Sequence, residues 1–164
     1  MPIISIETTV KAPLEVCLDL SRSIDLHTIS TKHTGERAVA GVTAGLIEFG
    51  ETVTWRAKHL GVWQHLTSKI TEYDRPHFFV DEMVSGAFKR FRHEHHFKQV
   101  NDGTLMLDVF NYTSPLGLVG KLADKVFLKS YMTRLLAERD RVIKQYAESG
   151  QWRNVVKIDR MIKG

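Results

Sequence analysis

Between Phe91 and Phe97 the chain reads Phe-Arg-His-Glu-His-His-Phe, and this run holds the side chains best suited to chemistry. A β-strand sends successive side chains to opposite faces. Phe91, His93, His95 and Phe97 therefore share one face, and Arg92, Glu94, His96 and Lys98 take the other. Imidazoles on a protected face can hydrogen-bond a carbonyl or hydroxyl, or carry a proton to and from one. Aromatic rings beside them suit the wall of a cavity better than a solid aliphatic core. A reversal at Asn101-Asp102 brings His95 opposite Asp108, His93 opposite Phe110 and Phe91 opposite Tyr112, each pair pointing to the same side. A buried histidine and a buried carboxylate each cost several kcal/mol when alone, so a His95–Asp108 contact relieves both. That contact reads either as a ligand anchor or acid–base pair, or as a brace between two strands.

Three histidines at 93, 95 and 96 also raise the question of a metal. His93 and His95 are about 7 Å apart along a strand. One ion would need their side chains to converge and a third ligand, Asp108 or Glu82, to join them. No spaced helical histidine motif and no cysteine pair accompanies them, and the expectation is a site without metal or cofactor. The serine-nucleophile motif, the phosphate-cradling glycine loop and the dinucleotide fingerprint are absent from the sequence.

The elements that must position these residues follow from periodicity. Ile4, Ile6 and Thr8 alternate with Ser5, Glu7 and Thr9, which marks a first strand ending near Val10. Pro13 suits the first turn of a short helix that carries Val16, Cys17 and Leu20. A second short helix or turn covers Ser23 to Ser30. Glu36 to Val42 is a strand candidate, and Ala44 to Phe49 has no clear pattern. Strands over Glu51–Leu60 and Val62–Tyr73 flank Gly61, with Trp55 and His59 facing inward on the first and Gln64 on the second. Strands over His77–Val84, Phe88–Val100 and Thr104–Tyr112 follow, the last two joined by Asp102-Gly103, a hairpin signal. A tight turn at Ser85-Gly86 places Glu82 near Lys89 and Val80 near Phe91; a one-residue slip puts Asp81 on the inner face instead.

From Leu116 the apolar spacing changes to three and four, bounded by Pro115 and Gly150. The spacing predicts a helix of ~33 residues, ~50 Å long at 1.5 Å per residue. Its early half is apolar around much of its circumference and is expected to lie against the sheet, with Leu122 and Val126 facing the cavity. The half beyond Glu138 is charged and expected to be partly solvated.

A strand, two short helices, an antiparallel meander and a long final helix together form the helix-grip arrangement. The chain resembles the START-like superfamily, also called SRPBCC, which includes lipid-transfer domains, birch-pollen-allergen relatives and polyketide cyclases. The resemblance rests on the opening strand with Ala12-Pro13-Leu14-Glu15-Val16, on Phe79 to Phe88, and on His93-Glu94-His95 with Phe97. Gly103-Thr104, Asp108 to Tyr112 and Pro115-Leu116-Gly117 complete it. It implies an α+β fold in which a curved antiparallel sheet of six to seven strands wraps a long C-terminal helix. Family members usually hold an apolar or amphipathic small molecule between sheet and helix, and some do chemistry on it.

The expected domain therefore covers residues 1–149, followed by a basic amphipathic tail over 150–164. The tail leaves a homodimer or a peripheral membrane contact open, although folding back on its own domain is the simpler expectation. With 164 residues, 43% hydrophobic and 26% charged, the chain is long enough to bury a core. A net charge of +4 spread among neighbouring acids excludes a concentrated nucleic-acid face. Cys17 is the single cysteine, so no intrachain disulfide forms, and a cytoplasmic location is expected. The ligand expected is a hydrophobic small molecule in a cavity lined by Trp55, His59, Gln64, Glu82, Phe91, His93, His95, Asp108, Phe110, Tyr112, Leu122 and Val126. No catalytic residue is assigned, and a cyclase- or dehydratase-type reaction using a His/Asp pair is the alternative.

Overall fold

Alternating apolar residues build seven antiparallel strands into one sheet: β1 (Ile3–Val10), β2 (Arg37–Gly41), β3 (Thr52–His59), β4 (Val62–Asp74), β5 (Phe78–Ser85), β6 (Arg90–Val100) and β7 (Gly103–Thr113). The computed structural model describes residues 2–115 and 117–156. Spatial order is β1-β7-β6-β5-β4-β3-β2, so the first strand closes against the last. That closure is tight: a Cβ on Gly103 would collide with the Val10 carbonyl, which only glycine avoids.

Between β1 and β2 lie two short helices, α1 (Leu14–Ser21) and α2 (Ile24–Ser30). Pro13 immediately precedes α1, and the Ser23 hydroxyl caps α2 by accepting from the Leu26 amide at 3.1 Å. Val16, Cys17, Leu18 and Leu20 of α1 enter the main core with Val10, Phe97, Met106 and Ile143. A smaller aromatic core gathers Phe91, Phe110, Tyr112 and Leu136.

The final helix is continuous from Gly117 to Ser149. It starts as α3 (Gly117–Ala123), passes through a π-helical turn at Asp124–Leu128, and continues as α4 (Lys129–Ser149) to Gly150 in the left-handed conformation. Its late half is partly solvated as expected, with Arg141 and Glu148 exposed, but its early half departs from the sequence expectation. Leu118, Val119, Leu122 and Val126 are exposed, while Leu136, Arg139, Asp140, Val142, Ile143 and Ala147 are buried. The late half docks on β1, α1 and α2, and its polar side chains are tolerated in burial because partners wait there. Asp140 accepts from the Thr8 hydroxyl at 3.2 Å, and Arg139 donates to the Ser21 carbonyl at 2.7 Å.

After Gly150 a short helix, α5 (Trp152–Val155), turns back on the domain, and Val156 joins the main core. The described part of the tail is thus packed on the domain; residues 157–164 lie outside the described residues.

Candidate functional site

Strict alternation on β6 and β7 turns Phe91, His93, His95, Phe97, Met106, Asp108, Phe110 and Tyr112 to the buried side. The register pairs His95 with Asp108, His93 with Phe110 and Phe91 with Tyr112, the pairing that a turn at Asn101-Asp102 predicts. The β5–β6 connection departs from the expectation. Residues 86–89 form a wider loop, so Glu82 faces Arg92 rather than Lys89, and Asp81 faces His93. Glu82 is a correction: it lies on the outer face, where Arg92 also meets Glu72 and Glu94. Asp81 takes the inner position. The wide loop also lets Phe88 fold inward, edge-on to Phe91 and Tyr112.

A cavity of about 340 Å³ lies between this face and the final helix. Trp55, His59, Gln64, Phe91, His93, His95 and Phe110 line it, together with Asp81. Asp108 and Tyr112 do not; they are buried on the neighbouring strand β7, off the cavity. Leu122 and Val126 are further corrections, being 64% and 74% exposed and off the cavity. The helix supplies Leu128, Tyr131, Met132, Leu135, Leu136 and Arg139 instead, because it approaches the sheet only after the π turn.

The polar wall is an ion-pair cluster. His95 Nε2 lies 2.8 Å from Asp81 Oδ1, and His95 Nδ1 lies 2.6 Å from Asp108 Oδ1, the latter as an ion pair poorly aligned for a hydrogen bond. His93 Nε2 is 3.5 Å from the same Asp108 oxygen and His93 Nδ1 is 3.8 Å from Asp81. The two rings stand 3.8 Å apart between centroids. Arg139 reaches Asp108 Oδ2 at 3.5 Å.

Burial opposes every charge here, and the neighbours decide which survive. Burial acts to lower the pKa of His95, but the carboxylates on both of its nitrogens outweigh it and raise it. His93 is lowered, by burial first and then by the charge on His95. Burial likewise works against ionisation of Asp81 and Asp108, and the histidines nevertheless hold both carboxyls below the usual range. Asp140 goes the other way: burial, then the Asp108 charge, push its carboxyl up to about 9. These directions favour a charged His95 beside ionised Asp81 and Asp108, with His93 and Asp140 held toward their neutral forms.

A second polar group lines the cavity on β3 and α2. His27 Nε2 lies 3.3 Å from Glu36, the His27 ring lies 4.2 Å from Trp55, and His59 Nδ1 shares a 2.9 Å hydrogen bond with the Tyr131 hydroxyl. Burial acts to raise the Glu36 pKa, but His27 outweighs it and holds the carboxyl low. Burial lowers His59. Sequence reasoning misses His27, Glu36, Tyr131 and Arg139. Tyr131 sits in the apolar stripe of the helix, and the other three sit in polar runs that read as surface. Cys17 is wholly buried and its thiol is pushed up to about 11, chiefly by burial, so it is no nucleophile.

The architecture that holds this cavity occurs in solved proteins. TTHA0849 from Thermus thermophilus superposes with a TM-score of 0.69 at 18% identity, over 90% of this chain and 100% of that one. A START superfamily protein from Mycobacterium smegmatis gives 0.66 at 11% identity, over 88% and 96%. The fold is the START-like helix-grip fold. Major latex-like protein 151 from Panax ginseng shares it at a TM-score of 0.65 and 16% identity, over 89% of this chain and 97% of that one. By sequence, no family model and no curated protein matches.

Proposed function

We propose that this helix-grip protein binds a hydrophobic small molecule with one polar end, of lipid, quinone-like or polyketide-like type. One observation carries the reading: a cavity of about 340 Å³ is walled largely by aromatic and aliphatic side chains, with polar groups in two clusters, one around His93 and His95 and one around His27 and His59. That is the composition of a small-molecule site. A guest burying about 200 Å² of apolar surface there gains roughly 5 kcal/mol at ~25 cal/mol per Å². His93 and Asp81 face the guest and orient its polar end, while Asp108 holds the histidines from the neighbouring strand. Superfamily members that the sequence resembles hold such guests in the same place. No helix among the described residues is long and apolar enough to cross a membrane; a cytoplasmic location is part of this proposal, supported by the single cysteine, which suits a reducing compartment.

Native mass spectrometry of freshly purified protein, followed by organic extraction, tests this. A recurring co-purified compound at one per chain is the expected result. A clean ligand-free spectrum, with no thermal shift across lipids, quinones and aromatic polyketides, overturns it.

One observation favours a second reading, a cyclase- or dehydratase-type enzyme. His93 is held unprotonated beside an apolar cavity, the state a general base requires. His95 is the poorer base, since carboxylates already meet both its nitrogens. Under this reading His93→Gln abolishes turnover of the extracted compound while leaving its binding intact.

A further inference from the structure

The two imidazoles of the polar wall have their outer nitrogens turned to one carboxylate and their inner nitrogens turned to another. His95 Nδ1 and His93 Nε2 face the same oxygen of Asp108, at 2.6 and 3.5 Å. His95 Nε2 and His93 Nδ1 face the same oxygen of Asp81, at 2.8 and 3.8 Å. One ligand atom from each of Asp81, His93 and His95 therefore forms a cluster whose members all lie within 4.8 Å of one another. The spacing objection raised by the sequence falls away, because the rings converge although their Cα atoms are two residues apart.

The geometry points to a divalent metal site in which Asp81, His93 and His95 supply three ligands from the cavity wall, the ion displacing to solvent the proton shared by His95 Nε2 and Asp81. Ligand atoms about 2.0–2.2 Å from one ion stand roughly 3–3.5 Å apart. The 2.8 and 3.8 Å separations bracket that range, so side-chain rotation of roughly an ångström closes the triangle. Metal-bound histidines need an acceptor for the nitrogen that does not bind, which fixes tautomer and ring orientation. Asp108 lies beside that nitrogen on both rings, at 2.6 and 3.5 Å, where a small rotation would align it as the acceptor, and it is itself braced by Arg139. Two imidazoles and one carboxylate suit a borderline first-row ion such as Zn²⁺, Co²⁺ or Fe²⁺; they supply too few oxygens for Ca²⁺ or Mg²⁺. All three ligands line the cavity, so the remaining coordination positions open toward the guest. This assignment goes beyond ligand binding and stands or falls separately from it.

The probe is Co²⁺ added to protein stripped with chelator, followed by visible absorption and by metal analysis after dialysis. One Co²⁺ per chain, displaced by Zn²⁺, is expected. Asp81→Asn and His93→Ala each abolish stoichiometric uptake, and Asp108→Asn weakens it about 10–100-fold, the usual range for such an outer partner. His96→Ala, on the opposite face of β6 and paired with Glu94, leaves uptake unchanged. Circular dichroism and thermal unfolding select the variants that fold. Where His93→Ala does not fold, Asp81→Asn at the cavity surface decides. A wild-type protein that takes up no Co²⁺ at micromolar concentration overturns the site. So does a folded Asp81→Asn that takes it up as wild type does. Cobalt uptake by a protein that shows neither a co-purified compound nor a thermal shift across the ligand panel refutes the small-molecule reading and leaves this one standing.

Discussion

His95 on β6 and His59 on β3 face the same cavity, and their partners differ in kind. His95 lies between two carboxylates, at 2.8 and 2.6 Å, with Arg139 beyond them. His59 meets a neutral phenol, Tyr131, at 2.9 Å. The first cluster sits on three neighbouring strands and is closed by opposite charges. The second joins β3 to the final helix through one hydrogen bond, with Glu36 and His27 alongside. A buried charge survives when its partner is buried with it, and removing one partner leaves the other uncompensated. The wall should therefore be costly to disturb, and the His59 side cheap.

Asp108→Ala is the severest test of that contrast. It strands the His95 and Arg139 charges and should cost about 3–5 kcal/mol, read from urea unfolding. A loss under about 1 kcal/mol would mean that the wall behaves like a surface ion pair.

Next comes Asp140→Asn, which separates burial from pairing. The folded protein holds this carboxyl up at about 9, whereas the unfolded chain releases the proton near its ordinary value of 3.8. A raised pKa gives stability that is fully present below the unfolded value and lost as pH rises toward the folded one. Asparagine has no proton to lose. Between about pH 6 and pH 9 the variant's unfolding midpoint should fall less than that of the wild type; parallel curves would show Asp140 ionised in the fold.

Tyr131→Phe removes only the bond to His59 and should cost about 0.5–1.5 kcal/mol, with the NMR titrations of His93 and His95 unmoved. A shift in either would show that the two sides are coupled. The smallest effect belongs to Leu122→Ser on the exposed face of α3, within about 0.5 kcal/mol in thermal unfolding. A larger loss would restore the helix face that the sequence assigns to the cavity.

The legible parts are those ruled by local periodicity. Alternation over Arg90–Val100 and Gly103–Thr113, with Asp102-Gly103 between them, is enough to set the His95–Asp108 pairing without knowledge of any contact. Glu82 is misplaced because four loop residues and two irregularities in the β4–β5 pairing reset the register of β5, and neither leaves a clear mark in sequence. The helix misleads for a different reason. Hydrophobicity along Leu118–Val126 argues for burial and charge at Arg139 and Asp140 for exposure, yet what a helix buries depends on where the sheet stands.

By itself, then, the order of residues determined which side chains share a strand face, where the hairpin between β6 and β7 turns, and the length of the final helix. Each of these depends on near neighbours and on a repeat of two or of about 3.6 residues. Tertiary structure alone decided that Asp81 rather than Glu82 looks inward, that Arg139 reaches across to Asp108, and that the final helix meets the sheet only beyond its π turn. Those outcomes compare contacts between residues tens of positions apart, and no local pattern encodes which distant charge will stand beside another.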